Sequence, residues 1–383
     1  MKNTTNFFKK MNEMHVSQNR LPSSGRVLSI DALRGFDMFW IIGGSDLLVS
    51  LNYAVNHQAT GFLAKQMDHV EWLGFNFYDI IMPLFLFIVG VAMPFSFHQR
   101  LDKNPSVSHL WIHIIKRVAI LWILGMVVQG NLLSYDFSKF KFYSNTLQAI
   151  AAGYLIASVV ILHLKVTWQI LSALLLVAGY WIVLSLVPVP GFGSGNITPE
   201  GNFAIYLDKL VFGAFQDGTT YTWILSSLTF GATTLLGVFT GYLLQSVLSN
   251  LRKLQYIAGI GIGMIVMAEI MNIWHPIVKH IWTGSFVFFS GGLCMILLAI
   301  FYGVVDFFKI QTRRKFFIII GANAIFAYMA SHLFDWGLIA DVFIGGLKQY
   351  TGQWYDLLRN VGRFSVLYFI LWQMYKRKIF IKI

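Results

Sequence analysis

Of 383 residues, 56% are hydrophobic and only 12% are charged, whereas a soluble domain carries about 25% charged residues. No water-soluble fold hides that much apolar surface. The formal charge of +12 does not indicate a nucleic-acid partner, because the basic residues lie between apolar runs instead of on a polar face interleaved with aromatics.

Apolar runs of about 18 to 25 residues recur down the chain, the length a helix needs to cross roughly 30 Å of hydrocarbon. Barrel strands would be about half as long and would alternate. The chain therefore reads as an all-α integral membrane protein, a polytopic bundle of about ten transmembrane helices. In chain order the expected spans are 30–50, 77–97, 111–130, 146–164, 168–187, 222–246, 256–273, 283–307, 316–334 and 359–375. A polar tail over 1–26 precedes a membrane domain over 27–376, and a short tail over 377–383 follows.

Most of the 29 Lys and Arg fall in the first tail, between 100 and 117, at 165 and 252–253, between 309 and 315, and in the last tail. Short basic loops resist translocation, so these segments and both termini are expected in the cytoplasm. The first run carries Asp31, Arg34, Asp37 and Asp46 with no small-residue cleavage site after it, which argues against a cleaved signal peptide. Neither an appended soluble domain nor an internal repeat is evident.

Within the spans, Gly237 and Gly241, and likewise Gly259 and Gly263, stand four apart and are expected to line closely packed helix faces. Pro83 and Pro94 are expected to bend or open the second span. Trp72, Trp168, Tyr221 and Trp282 stand near span ends, where such rings anchor at the interface. The lone Cys294 lies inside a span, which suits packing.

An ionisable residue inside the bilayer costs at least about 2.5 to 3.5 kcal/mol, so each one is a candidate functional group. Asp31, Arg34 and Asp37 cluster at the start of the first span; Arg34 either binds a phosphate with the carboxylates orienting it, or pairs with Asp31 at the interface. Asp46 lies at the far end of that helix, and the following loop brings Asp68, His69, Glu71 and Trp72 just ahead of the second span. An imidazole beside carboxylates can serve as a general base. Asp79 is placed either to orient His69 or to stabilise a helix N-terminus. Glu269 and Asn272 occupy adjacent turns of the seventh span, with His275, Lys279 and His280 just outside it. Arg359 and Arg363 share a face of the last span, ready for an acidic partner.

His109 and His113 have the i, i+4 spacing of a ligand pair but no accompanying Glu motif, so no metal is expected. Phosphate-binding glycine loops, nucleophile elbows and dinucleotide fingerprints are absent from the sequence.

The run RVLSIDALRGFDMFWIIGG at 26–44, followed by HVEWLGFNFYDIIMPLFLFIVGVAM at 69–93, resembles the family of the lysosomal heparan-α-glucosaminide N-acetyltransferase and its bacterial relatives. Asp31, Arg34, Gly35, His69, Trp72, Gly74 and Asp79 match that family's pattern residue by residue. Later stretches agree too: LQ at 147–148, PEGNFAIYLDKLVFG at 199–213, TTLLGVFTGYL at 233–243, HPIVKHIWTGSFVFFSGG at 275–292 and GANAIFAYM at 321–329. Two positions depart from it, Ala149 replacing an Arg and Ser45 a common Asn, which puts a donor or acceptor contact in question.

The resemblance implies an acetyl group taken from cytoplasmic acetyl-CoA and delivered to the amine of a glucosamine-type sugar on the far side of the membrane. It makes His69 the catalytic residue, with Asp79 or Asp46 orienting it. Arg34 and Asp31 become the candidates for contacting CoA, and Asp68, Trp72, Glu269, Asn272, Arg359 and Arg363 those for the sugar. A bacterial inner membrane and a homodimer are the expected setting. The rival reading is a membrane transporter of sugars or cell-wall fragments, which would also use ten helices with buried charges; a non-catalytic scaffold would leave the clusters at 31–37 and 68–79 without a role.

Overall fold

The computed structural model describes residues 27–310 and 314–381; the expected tail at 1–26 and the end of the last tail lie outside the described residues. Among those described the structure is helical, with β pairing confined to isolated bridge residues such as Val189 and Gly193. Among the described residues eight helices are long and apolar enough to cross a membrane. The pair Lys315–Ala322 and Ala324–Leu333, bent by 73° at Asn323, is together long and apolar enough for a ninth, as a broken span or a re-entrant loop. The tenth expected span corresponds to the 22-residue helix Tyr355–Lys376, roughly 33 Å at 1.5 Å per residue, but this helix carries Asp356, Arg359, Asn360 and Arg363 and is not among those apolar enough to cross a membrane. The chain is thus an all-α polytopic membrane protein.

In chain order the helices are α1 (Leu28–Phe39), α2 (Ser45–Val55), α3 (Gln58–Gln66), α4 (Ile81–Lys103), α5 (Val107–Val128), α6 (Thr146–His163), α7 (Val166–Leu186), α8 (Phe203–Phe212), α9 (Ser226–Gln245), α10 (Asn250–Asn272), α11 (Gly284–Tyr302), α12 (Arg314–Ala322), α13 (Ala324–Leu333), α14 (Trp336–Ile344), the single turn α15 (Lys348–Thr351) and α16 (Tyr355–Lys376). They form two compact units: a central one, Leu86–Ile296, and a terminal one that joins Leu28–Phe85 to Leu297–Ile383.

In the central unit α9 is a buried helix, 72% inside the protein, whereas α5, α7 and α10 are 17%, 28% and 22% buried and turn apolar side chains such as Ile112, Leu175 and Ile262 outward, as lipid-facing helices do. The hydroxyls that α9 buries are satisfied within the helix: Thr233, Thr234 and Thr240 each donate to the carbonyl four residues back, which removes the penalty of an unpaired polar group in hydrocarbon. Gly237 and Gly241 do line a close contact. A Cβ on Gly237 would stand 2.1 Å from the Phe87 carbonyl oxygen, and one on Gly241 2.6 Å from that of Val91. Gly259 and Gly263 do not; both face open space, and the glycine that packs is Gly261, against Gly292. Residues two apart on a helix point about 200° apart, so a packed Gly261 turns its two neighbours outward. Pro83 stands in the first turn of α4, where its missing N–H is not needed, and the helix continues through Pro94 to Lys103.

In the terminal unit α1 crosses α12 with backbone touching backbone. A Cβ on Gly35 would lie 1.7 Å from the Phe317 carbonyl oxygen, and one on Gly321 2.1 Å from that of Asp31. Gly35, directly after Arg34, is therefore a packing residue that brings this end of α1 against α12. Because the obstacle is main chain, Gly35→Val is expected to exceed the ~1–3 kcal/mol typical of overpacking, seen as loss of monodisperse protein on size exclusion in detergent; Gly259→Val, facing open space, should behave as wild type in the same assay. Asp306 accepts from the Leu28 and Ser29 amides at 3.3 and 3.0 Å and so caps the start of α1. The break at Asn323 is held from the side: its amide donates to the Ile379 carbonyl at 3.0 Å and its side-chain oxygen accepts from the Ile381 N–H at 2.9 Å.

Candidate active site

The first span is not one straight helix. Between α1 and α2 the chain opens into a wide turn over Trp40–Gly44, where Gly43 takes φ 152°, a conformation that suits glycine. After α3, a ten-residue loop leads to a 3₁₀ turn, Phe77–Ile80, that starts the second span. His69 lies on this loop.

Asp79 is the hub. Its side chain is fully buried, and its Oδ1 lies 2.7 Å from His69 Nδ1, whose side chain is 38% exposed. Its Oδ2 accepts from the Asn76 N–H at 2.9 Å and, more weakly, from that of Val70 at 3.5 Å. The helix-start role and the orienting role weighed for Asp79 are thus filled together, one by each oxygen. Asn76 extends the brace, its amide donating to the Lys65 and Asp68 carbonyls at 3.1 and 3.0 Å, while Gln66 Oε1 accepts from the Phe77 N–H at 3.0 Å. Asp68 accepts from the His69 amide at 2.8 Å, and the Tyr78 ring lies 5.1 Å from the imidazole, centroid to centroid. Trp72 is half-buried on the same loop. With Asp79 holding Nδ1–H, the neutral imidazole carries its lone pair on Nε2, the tautomer of a general base.

Asp46, the other carboxylate considered for His69, is engaged elsewhere: Oδ2 accepts from Arg363 Nη1 at 2.8 Å. Arg359 meets Asp341, with Nε 3.1 and 2.9 Å from its two oxygens, and Tyr355 donates to the same carboxylate at 2.7 Å. These hydrogen bonds, that of Tyr355 foremost, hold the Asp341 carboxyl below the usual carboxylate range. The two arginines of α16 therefore meet acidic partners on other helices of this unit. Arg34 Nη1 lies 3.3 Å from Asp31 Oδ1 with its side chain 28% exposed. Between these sites Asp37 is fully buried, and neither of its oxygens, nor Trp40 Nε1 one turn on, has a hydrogen-bond partner.

Glu269 and Asn272 lie in the central unit. They touch one another at 3.4 Å, and Asn272 Oδ1 accepts from the Ile277 N–H at 2.9 Å, which closes the loop after α10. On that loop His275 and Lys279 are buried; burial pushes the His275 imidazole down to about 4, so it is uncharged at neutral pH. His280 stacks on Tyr221 at 4.2 Å and lies 2.6 Å from the Thr220 hydroxyl. Asp208, on α8, accepts from the Trp223 and Ile224 amides at 2.6 and 3.0 Å and is pushed up by burial to about 7. Ala149 is fully buried in the first turn of α6. Among the described residues no three His, Cys, Asp or Glu converge as a metal site.

Asn76, Gln66 and Tyr78 are site residues that sequence reasoning missed. Asn76 stands three before Asp79, the spacing of a capped helix start, and could have been found that way; Gln66 carries no local signal.

No model of a known protein family matches the chain. The heparan-alpha-glucosaminide N-acetyltransferase of Homo sapiens is 22% identical over 417 residues, covering 94% of this chain and 60% of the relative. That of Mus musculus is 22% identical over 431 residues, covering 96% and 62%. The chain spans about 60% of the length of these curated relatives, and over nearly all of its own length it is similar to heparan-alpha-glucosaminide N-acetyltransferases.

Proposed function

We propose that this protein is a transmembrane N-acetyltransferase that moves the acetyl group of cytoplasmic acetyl-CoA to the amine of a glucosamine-type sugar on the opposite side, the periplasmic face of a bacterial inner membrane. The observation that carries the proposal is the His69–Asp79 pair, 2.7 Å apart with the carboxylate fully buried. A buried carboxylate fixing an imidazole in a partly exposed loop is the arrangement that proton removal from an amine requires.

In this reading both termini are cytoplasmic, the membrane domain covers 27–376, and Arg34 with Asp31 lies at the inner mouth, where it contacts a CoA phosphate. The pantetheine arm carries the thioester outward along α1. Asp37 and Trp40 present buried polar atoms to it, the partners that an amide-bearing chain needs inside an apolar bundle. At the outer end Nε2 of His69 takes the proton as the sugar nitrogen attacks the thioester carbonyl. The C–N bond forms, the C–S bond breaks, and the sulfur leaves as thiolate to be protonated to CoA. Asp79 stabilises the imidazolium formed on the way. A covalent route in which Nε2 itself accepts the acetyl group and then passes it to the amine uses the same residues. Asp68 and Trp72, on the His69 loop, are the proposed sugar contacts; Asp46, Arg359 and Arg363 act through the ion pairs that hold α16 to its neighbours.

The second reading, a sugar transporter, draws on the 73° break at Asn323, since broken helices line transporter sites. Purified protein in nanodiscs, given labelled acetyl-CoA and a panel of amino sugars, is expected to yield N-acetylated sugar. Absence of transfer, together with uptake of unmodified sugar into proteoliposomes, would exchange the first reading for the second.

A further inference from the structure

Helices α4 and α5 are joined by the three residues 104–106, so the last turn of one span stands beside the first turns of the next. Arg100 and Lys103, spaced i, i+3, lie on one face of the ending helix with Asn104 just after it, and His109, His113 and Lys116, spaced i, i+4, i+7, on one face of the starting helix. Together they line a cavity of about 350 Å³, at the lower end of the roughly 300–1,000 Å³ of small-molecule sites. Five of these side chains are cationic or become so on protonation, and no carboxylate lines the cavity. Asp102, the only acidic residue of α4 and α5, is paired with His98 Nε2 at 3.4 Å. Neighbouring Arg117 is turned away, its guanidinium 4.5 Å above the Tyr154 ring.

The histidine pair that suggested a metal by spacing is thus surrounded by three fixed positive charges. They repel a metal ion and attract an anion. The N-terminal amides of α5 add partial positive charge on the same side. The cavity stands at the ends of two apolar helices, and basic pockets between the ends of membrane helices are where lipid phosphate is held.

We propose that this cavity is a binding site for a phosphate ester. Arg100 supplies a bidentate fork, Lys103 and Lys116 point charges, and the two imidazoles N–H donors. The phosphate belongs either to a nucleotide, such as the phosphorylated end of a CoA-type donor, or to an anionic phospholipid. The site does not depend on acetyl transfer, and a failed transfer assay would leave it standing.

The test uses the full chain in phosphatidylcholine nanodiscs. One arm titrates 3′,5′-ADP by isothermal calorimetry; the other adds short-chain phosphatidylglycerol and reads bound lipid by native mass spectrometry. In at least one arm, Arg100→Gln/Lys103→Gln/Lys116→Gln should weaken binding roughly tenfold or more, and the Lys103→Arg/Lys116→Arg variant should retain it. Binding should also fall with added salt. Loss in the nucleotide arm assigns the phosphate to a nucleotide, and loss in the lipid arm to a phospholipid. If neither ligand binds, or if both bind equally well to the triple Gln variant, the proposal is overturned. Because the three residues are exposed at the end of the helices, the variant's melting temperature should match wild type, so a binding loss is read on folded protein.

Discussion

The His69→Ala variant is expected to remain folded and to lose acetyl transfer by roughly 10²- to 10⁴-fold, the range of a removed general base. The fold survives because the imidazole lies in a loop, 38% exposed, and because Asp79 still accepts from the Asn76 amide at 2.9 Å when its partner is gone. Chemistry does not survive, because the attacking amine loses its proton acceptor. The size and character of the loss separate the two routes. If His69 is only a base, donor binding is unchanged and wild-type protein incubated with labelled acetyl-CoA alone holds no covalent label. If Nε2 carries the acetyl group, wild type retains acid-labile label in the absence of sugar and the variant retains none. Transfer at the wild-type rate in the variant would remove His69 from the mechanism.

Spans were legible in the sequence because the bilayer imposes one length and one composition on all of them. The helix Tyr355–Lys376 was legible by length although charged residues dilute it. Breaks were not legible: Gly43 and Gly44 read as small residues, and nothing local shows that the chain widens there or bends by 73° at Asn323, which is held by main-chain groups more than fifty residues on. Glycine spacing was half informative. Gly237 and Gly241 pack while Gly259 and Gly263 do not, since a four-residue interval fixes a shared face without saying which face meets a neighbour. In the site, His69 and Asp79 were visible as a pair only in outline, with Asp46 an equal competitor. The contact of Asp79 with His69 comes from the tight return of the chain from the loop into the second span, and Asp46 meets Arg363, 317 residues away; neither contact is written in local sequence. The orphaned oxygens of Asp37 have no sequence signature either, because an unpaired buried carboxylate is defined by what surrounds it.

Asp79→Asn is expected to be nearly as damaging as loss of His69, and for a reason peculiar to the geometry. The carboxylate serves His69 with one oxygen and the Asn76 amide with the other. An asparagine has a single acceptor. Held by the Asn76 N–H, its oxygen would face the backbone and its NH₂ would face His69 Nδ1, so the ring would accept there and carry its proton on Nε2. That is the wrong tautomer for a base, and in a comparable His–Asp pair the same substitution lowers kcat by about 10⁴. Here a fall of roughly 10²- to 10⁴-fold is expected, confined to kcat, with KM for the sugar and affinity for the donor close to wild type because Asp79 is fully buried and acts through the imidazole it holds. Turning the asparagine to satisfy His69 would instead leave the Asn76 N–H without its acceptor, at a penalty of about 1–3 kcal/mol, so the first orientation prevails and the melting temperature should stay close to wild type. The combination of a kcat defect with an unchanged KM and an unchanged melting temperature marks a positioning residue. A purely structural role for Asp79 would instead lower stability and leave kcat per folded molecule intact. A sugar contact would raise KM.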